Sequence, residues 1–190
     1  MILGAAITRL LSVLFSTYLI LWINQQLIKE DASEQDKQNQ ENLAKDIYIN
    51  IMVASALICI FVLPVVGKLC DTVDPRNIMP LAFLARCCTT YFFWLLEKPD
   101  TFQCFAVCVA MVVATITEQV SCDSIFMKNL NKETRGILSG AYSFVGQIGV
   151  LLFSLAGGWM FDNLGQKSPF VAIGALDIGF TFVFCAFLLG

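Results

Sequence analysis

Six apolar stretches dominate the chain, and each is long enough to cross a lipid bilayer as a helix. They run approximately over residues 2–24, 47–69, 78–96, 101–123, 136–161 and 169–189. A spanning helix needs about 20 mostly apolar residues, because the hydrocarbon core is about 30 Å thick. In that medium every backbone N–H and C=O must be satisfied within the protein, and a helix does this without a partner. The expected class is therefore an all-α polytopic membrane protein, folded as a single six-helix bundle over residues 1–190. Composition agrees, since 57% of residues are hydrophobic and only 14% are charged. A soluble domain carries about 25% charged residues. The net charge of −3 and the lack of any Lys/Arg-rich run give no basis for a nucleic-acid partner.

The first stretch, MILGAAITRLLSVLFSTYLILWINQQ, does not read as a secretory signal. Its only cation is Arg9, and its apolar length of about 24 residues exceeds a signal's h-region. It is expected to be a mature membrane helix, and its start almost at Met1 suggests a fragment or a truncated gene product. The connections are short except for residues 25–46, QQLIKEDASEQDKQNQENLAKD, which read as a flexible, acidic, solvated loop. Lys68, Arg76, Lys128, Lys132 and Arg135, with Arg9 near the edge, fall on one side of the membrane. Lys29, Lys37, Lys45, Lys98 and Lys167 fall on the other, three of them in the acidic loop. The positive-inside rule then puts both termini and the 68–77 and 124–135 loops in the cytosol. The membrane itself is not specified. The eight cysteines lie in or beside apolar runs, and there is no histidine. They read as small hydrophobic residues, with no metal site or cofactor.

One turn stands out. Gly67-Lys68-Leu69-Cys70-Asp71 is followed five residues after the aspartate by Arg76, and Gly158-Trp159-Met160-Phe161-Asp162 is followed at the same distance by Lys167. The two copies are 91 residues apart. One follows the second span and the other follows the fifth, so they lie on opposite faces. Three spans repeated with inverted topology is a transporter architecture. Gly67 would let the second span approach a neighbour closely. Asp71 would accept hydrogen bonds from a helix N-terminus or pair with a cation, and Arg76 would offer a forked donor. An ordinary solvated loop is the alternative.

The turn resembles the signature between the second and third helices of each half of a major facilitator superfamily transporter, roughly G-x-L-x-D-R-x-G-R-R. Gly67, Leu69, Asp71 and Arg76 match it, whereas Thr72, Asp74 and Pro75 depart from it. Arg135-Gly136, Gly140, Gly149, Gly157-Gly158, Asp162, Gly165 and Pro169-Phe170 stand where the family's later pattern wants them, with Leu155-Ala156 in place of the proline that often precedes the paired glycines. The resemblance covers almost the whole chain, but only six of the family's twelve helices. It implies half of that fold, most similar to the C-terminal half, in two inverted three-helix repeats. It also implies alternating access, with a cavity lined by the first and fourth helix of each half.

Ionisable residues inside a membrane are costly and are functional candidates by default. In the fourth span Cys104, Cys108, Met111, Thr115, Glu118 and Cys122 form one helical stripe. If that helix lines the cavity, Glu118 faces it, with Thr115 beside it. Glu118 would bind a cation or a substrate amine, or carry a proton; a structural pair is the alternative. Arg9, on a face with Ser12 and Ser16, would hold an anionic substrate group, or else snorkel to headgroups. Arg86 and Asp177 lie on helices that the family places at the periphery, so each needs a protein partner or a water pocket. An Arg86–Glu118 pair is one possibility. Gln147 is the long polar side chain on the small-residue face of the fifth span, and it would reach the cavity.

These features predict a secondary transporter for a small solute, embedded in lipid and completed by a second six-helix half from the same gene product or another chain. No Walker loop or nucleophile–base constellation is present in the sequence, so an enzyme is not expected. A channel subunit or a non-transporting membrane scaffold are the competing classes.

Overall fold

The computed structural model describes residues 14–27, 34–128, 130–131 and 133–189, and the side chains of all of these except 14–16, 75–76 and 184–189. A π-helical segment, Leu14–Leu19, runs into α1 (Ile20–Leu27). Five longer helices follow: α2 (Glu34–Thr72), α3 (Pro75–Leu95), α4 (Phe102–Lys128), α5 (Arg135–Leu164) and α6 (Ser168–Leu189). There is no strand among the described residues. Helices α2, α4 and α5, and α3 from Asn77 to Leu95, are long and apolar enough to cross a membrane. The described apolar part of α6, Ser168–Val183, is shorter. The chain is an all-α integral membrane protein.

Local chemistry sets the helix ends. Pro75 occupies the first position of α3, where its missing N–H costs nothing. Gly165 ends α5 with φ of 113°, a conformation that side chains with a Cβ avoid.

One expectation fails. Within the stretch read as a flexible acidic loop, 25–46, Glu34–Asp46 are helical and form the start of the 39-residue α2, while residues 25–27 end α1. Glu, Gln, Lys, Ala and Leu are good helix formers, and Glu34 and Asp36 sit in the first turn, where the helix dipole favours them. Glu41 and Lys45 stand four apart in the favourable order. Ala44 is fully buried in the main apolar cluster, which ties the polar stretch to the core. Low aromatic content signalled solvation here, but not disorder.

Helix α4 is central, packing against both α2 and α3, while α3 lies along α6 and α1 lies against α2. Trp22, Phe93 and Phe170 knit three of these helices together. The Trp22 and Phe93 rings meet edge-on at 4.8 Å, and the Phe93 and Phe170 rings lie 4.6 Å apart. Helix α5 is peripheral and leaves Ile137, Phe144, Leu151, Leu155 and Trp159 exposed, as a lipid-facing helix would.

Burial recurs along the chain with the period of the two turns. Ile51, Ser55, Val66 and Cys70 are the buried counterparts in α2 of Tyr142, Gly146, Gly157 and Phe161 in α5. Ile78, Met79, Ala82, Phe83 and Arg86 in α3 correspond in the same way to Pro169, Phe170, Ile173, Gly174 and Asp177 in α6. Every pair is separated by 91 residues.

Candidate functional site: a buried arginine between two carboxylates

The fourth-span stripe faces the protein interior. Cys104, Cys108, Met111, Thr115, Glu118 and Cys122 are all buried. Glu118 has no exposed surface. Its Oε2 lies 2.6 Å from Nη1 of Arg86 on α3. Arg86 Nε donates to Asp177 Oδ2 on α6 at 2.5 Å, and Nη2 pairs with Asp177 Oδ1. The guanidinium therefore grips Asp177 in a two-pronged fashion and turns its remaining corner towards Glu118. Its carbon lies 5.8 Å from the centre of the Phe83 ring. All three ionisable side chains are fully enclosed.

The charges do not balance. One guanidinium meets two carboxylates, so the fully ionised cluster carries −1 inside a membrane-embedded bundle. Such a charge is expensive in low dielectric, and a proton or a cation would remove it. Asp177 accepts a hydrogen bond from Arg86 Nε and makes a second ion-pair contact with Nη2, whereas Glu118 makes one ion-pair contact with Nη1 and no hydrogen bond among the described residues. Glu118 is thus the more weakly held carboxylate.

The other sequence candidates are scattered. Thr115 is one turn from Glu118, but its hydroxyl donates to Met111 O of its own helix at 2.8 Å. Gln147 is exposed on α5, whereas the charge cluster is enclosed. Arg9 lies outside the described residues. Gly67 does not provide a close helix approach, because a Cβ built there meets nothing within 4 Å. The close approach is at Gly157, where a Cβ would lie 3.0 Å from the Tyr18 hydroxyl. That hydroxyl donates to Ser154 O at 2.7 Å. Asp71 is exposed in the last turn of α2, and beside it Lys128 Nζ donates to Cys70 O. Arg76 lies in the first turn of α3, and its side chain is outside the described set. In the second copy Gly158 is half-buried and Asp162 is exposed. Lys167 Nζ donates to Trp94 O at 3.0 Å and also to Leu96 O, and it sits 5.8 Å from the Trp22 ring centre. It therefore covers the last carbonyls of α3. Partial burial pulls its ammonium below the ordinary lysine range, and the Glu97 carboxylate opposes this.

Two relationships escaped the sequence. The Arg86–Asp177 contact had one trace, opposite charges at the repeat offset of 91 residues, but that spacing marks equivalence and not contact. The Lys128 bond to Cys70 O had no such signal, because a backbone acceptor leaves no trace in residue identity.

No curated protein and no solved structure matches the chain. The family model of the Major Facilitator Superfamily matches it over residues 1–190. Spanning helices, an enclosed charge cluster and the signature turn agree with that match, and the chain belongs to the Major Facilitator Superfamily of membrane transporters.

Proposed function

We propose that the chain forms one six-helix half of a secondary transporter that moves a small solute by alternating access. The enclosed Arg86–Glu118–Asp177 cluster carries this reading, because an unbalanced charge inside a bilayer is costly unless a proton or counter-ion compensates it, which makes such a cluster a functional candidate. Glu118 is the coupling residue: it accepts a proton or a cation, loosens its hold on Arg86, and so ties helix α4 to the state of the site. Energetically, the coupling is the difference in affinity for that ion between the two faces of the cycle.

The six spans are arranged as two inverted three-helix repeats, 14–95 and 102–189 in the described residues. The 91-residue recurrence of buried positions in α2/α5 and α3/α6 supports this arrangement. A second six-helix half, from the same gene product or another chain, completes the solute path. Both termini face the cytosol, following the cations of the 68–77 and 124–135 loops.

The test is solute uptake in proteoliposomes or intact cells by the full protein. Glu118→Gln at normal membrane abundance is expected to remove ion-coupled accumulation. Unchanged accumulation would take Glu118 out of the mechanism.

A further inference from the structure

Arg86 and Asp177 are 91 residues apart and touch each other. The same offset relates Gly67 to Gly158, Asp71 to Asp162, and the buried positions of α2 and α3 to those of α5 and α6. Two equivalent positions that touch must straddle the axis relating the repeats, as in any isologous contact.

The neighbouring contacts obey the same rule. The Phe93 ring lies 4.6 Å from that of Phe170, seven residues beyond Arg86 on α3 and seven before Asp177 on α6. Thr90 Cγ2 lies 3.1 Å from a Cβ built on Gly174, four residues beyond and three before. On the other side, the Phe83 ring stacks on Phe180 at 6.1 Å, three residues before and three beyond. Helices α3 and α6 thus pair in antiparallel register, and the register is centred on Arg86 and Asp177. Two antiparallel helices meeting in this way are related by a twofold axis across them. An axis relating inverted repeats lies in the membrane plane, so the pair sits at mid-depth.

We propose that Arg86 and Asp177 mark the local twofold axis of the six-helix unit, and that Asp177 is a positioning residue which anchors the guanidinium there while Glu118 engages and releases it. This rests on the transport reading for the role of Glu118 and on the inverted-repeat arrangement for the axis, while the register of α3 against α6 stands on contacts. An element on the axis moves least when the two repeats shift about it. A guanidinium held there by one hydrogen bond and a second ion-pair contact stays in place when its third partner leaves. Glu118 has no axial equivalent, so only one repeat carries the exchangeable group. The titratable or charged groups that face it are Arg86 on α3, Asp177 on α6 and Cys122 on its own helix, with Cys87 beside Arg86 and Asp123 beyond Cys122.

The experiment has two arms, both in the full protein. The first uses a Glu118→Gln background, so that only the axial pair is read. Arg86→Asp and Asp177→Arg are each expected to cut membrane abundance several-fold, because each puts like charges on the axis. The two together should restore abundance, because equivalent positions can exchange roles. A double variant no better than the worse single one overturns the axial assignment.

The second arm uses Asp177→Asn with Glu118 intact. The guanidinium then serves one carboxylate instead of two and holds it more tightly. Half-maximal uptake should shift to more acidic pH at normal abundance. An unmoved profile overturns the positioning role. If Asp177→Asn does not reach the membrane, Asp177→Glu, which keeps the charge but displaces the anchor by one methylene, takes its place: a shifted half-maximal pH supports the positioning role and an unmoved one overturns it. Loss of pH dependence in Glu118→Gln tests the transport reading separately, and its outcome leaves the exchange result intact.

Discussion

Arg86 Nη1 lies 2.6 Å from Glu118 Oε2, and neither side chain has any exposed surface. The contact joins two adjacent helices, α3 and α4, at a point where the same guanidinium also grips α6 through Asp177. One side chain therefore sets the relative position of three helices. Its removal exposes the cost of what it compensates rather than the strength of a single bond.

Replacing Arg86 by Met should be among the most damaging single changes in the chain. It leaves two carboxylates enclosed without a cation, and stranding a buried charge costs about 3–5 kcal/mol. Melting of the purified protein in detergent should fall steeply. Adding Glu118→Gln and Asp177→Asn removes the stranded charges and should recover most of the loss, while ion-coupled uptake stays absent. Recovery of stability without recovery of transport separates the structural task of the cluster from its coupling task.

Gly157 should tolerate no side chain. A Cβ there would lie 3.0 Å from the Tyr18 hydroxyl and 3.1 Å from its ring, and that hydroxyl is bonded to Ser154 O. Gly157→Val must push Tyr18 aside, at a cost of about 1–3 kcal/mol for overpacking. Gly136→Ala meets nothing within 4 Å and should leave the melting temperature unchanged or slightly raised. Equal losses in both variants would point to a general need for small residues along α5 rather than to the Tyr18 contact.

Much of this was legible in the sequence, and the misses have physical causes. Apolar length pointed to the spanning parts of α2, α3, α4 and α5, because bilayer thickness converts directly into residue count. The stripe from Cys104 to Cys122 was seen, but a small polar stripe can face either an open cavity or a neighbouring helix, and here the described residues enclose it. The Arg86–Glu118 pair could be foreseen from charge and depth. Asp177 could not be assigned without knowing that α3 lies along α6, which depends on tertiary packing. Residues 34–46 were misread because solvated and disordered stretches share a composition. Gly67 was misread because a glycine signals permission for close approach, not its occurrence.

The helical extension offers a sharp contrast between neighbours. Ala44 is fully buried, whereas Leu43 beside it is 48% exposed. Ala44→Glu would force a carboxylate into the cluster of Trp22, Ile51 and Cys108, and should lower the melting temperature markedly. Leu43→Glu should be tolerated. If both are tolerated, residues 34–46 are not held against the core, and hydrogen exchange of that stretch would be fast.

Lys167 should give the protein a measurable alkaline pH dependence. Its ammonium covers Trp94 O and Leu96 O at the end of α3 and leans on the Trp22 ring. A cation there also faces the negative end of the α3 dipole. Its pKa in the folded protein lies below the ordinary lysine value of 10.5, chiefly because burial penalises the charged form. The unfolded chain then binds more protons than the folded one across the window between the lowered pKa and 10.5, so this group makes stability rise with pH in that window. Below the window the residue is charged in both states and contributes no slope. Melting curves of the wild type and Lys167→Met, compared from neutral to alkaline pH, isolate the effect. The wild type should gain on the variant as pH climbs through the window. A difference that stays flat would mean that the ammonium is fully hydrated and the caps on α3 are not maintained in solution.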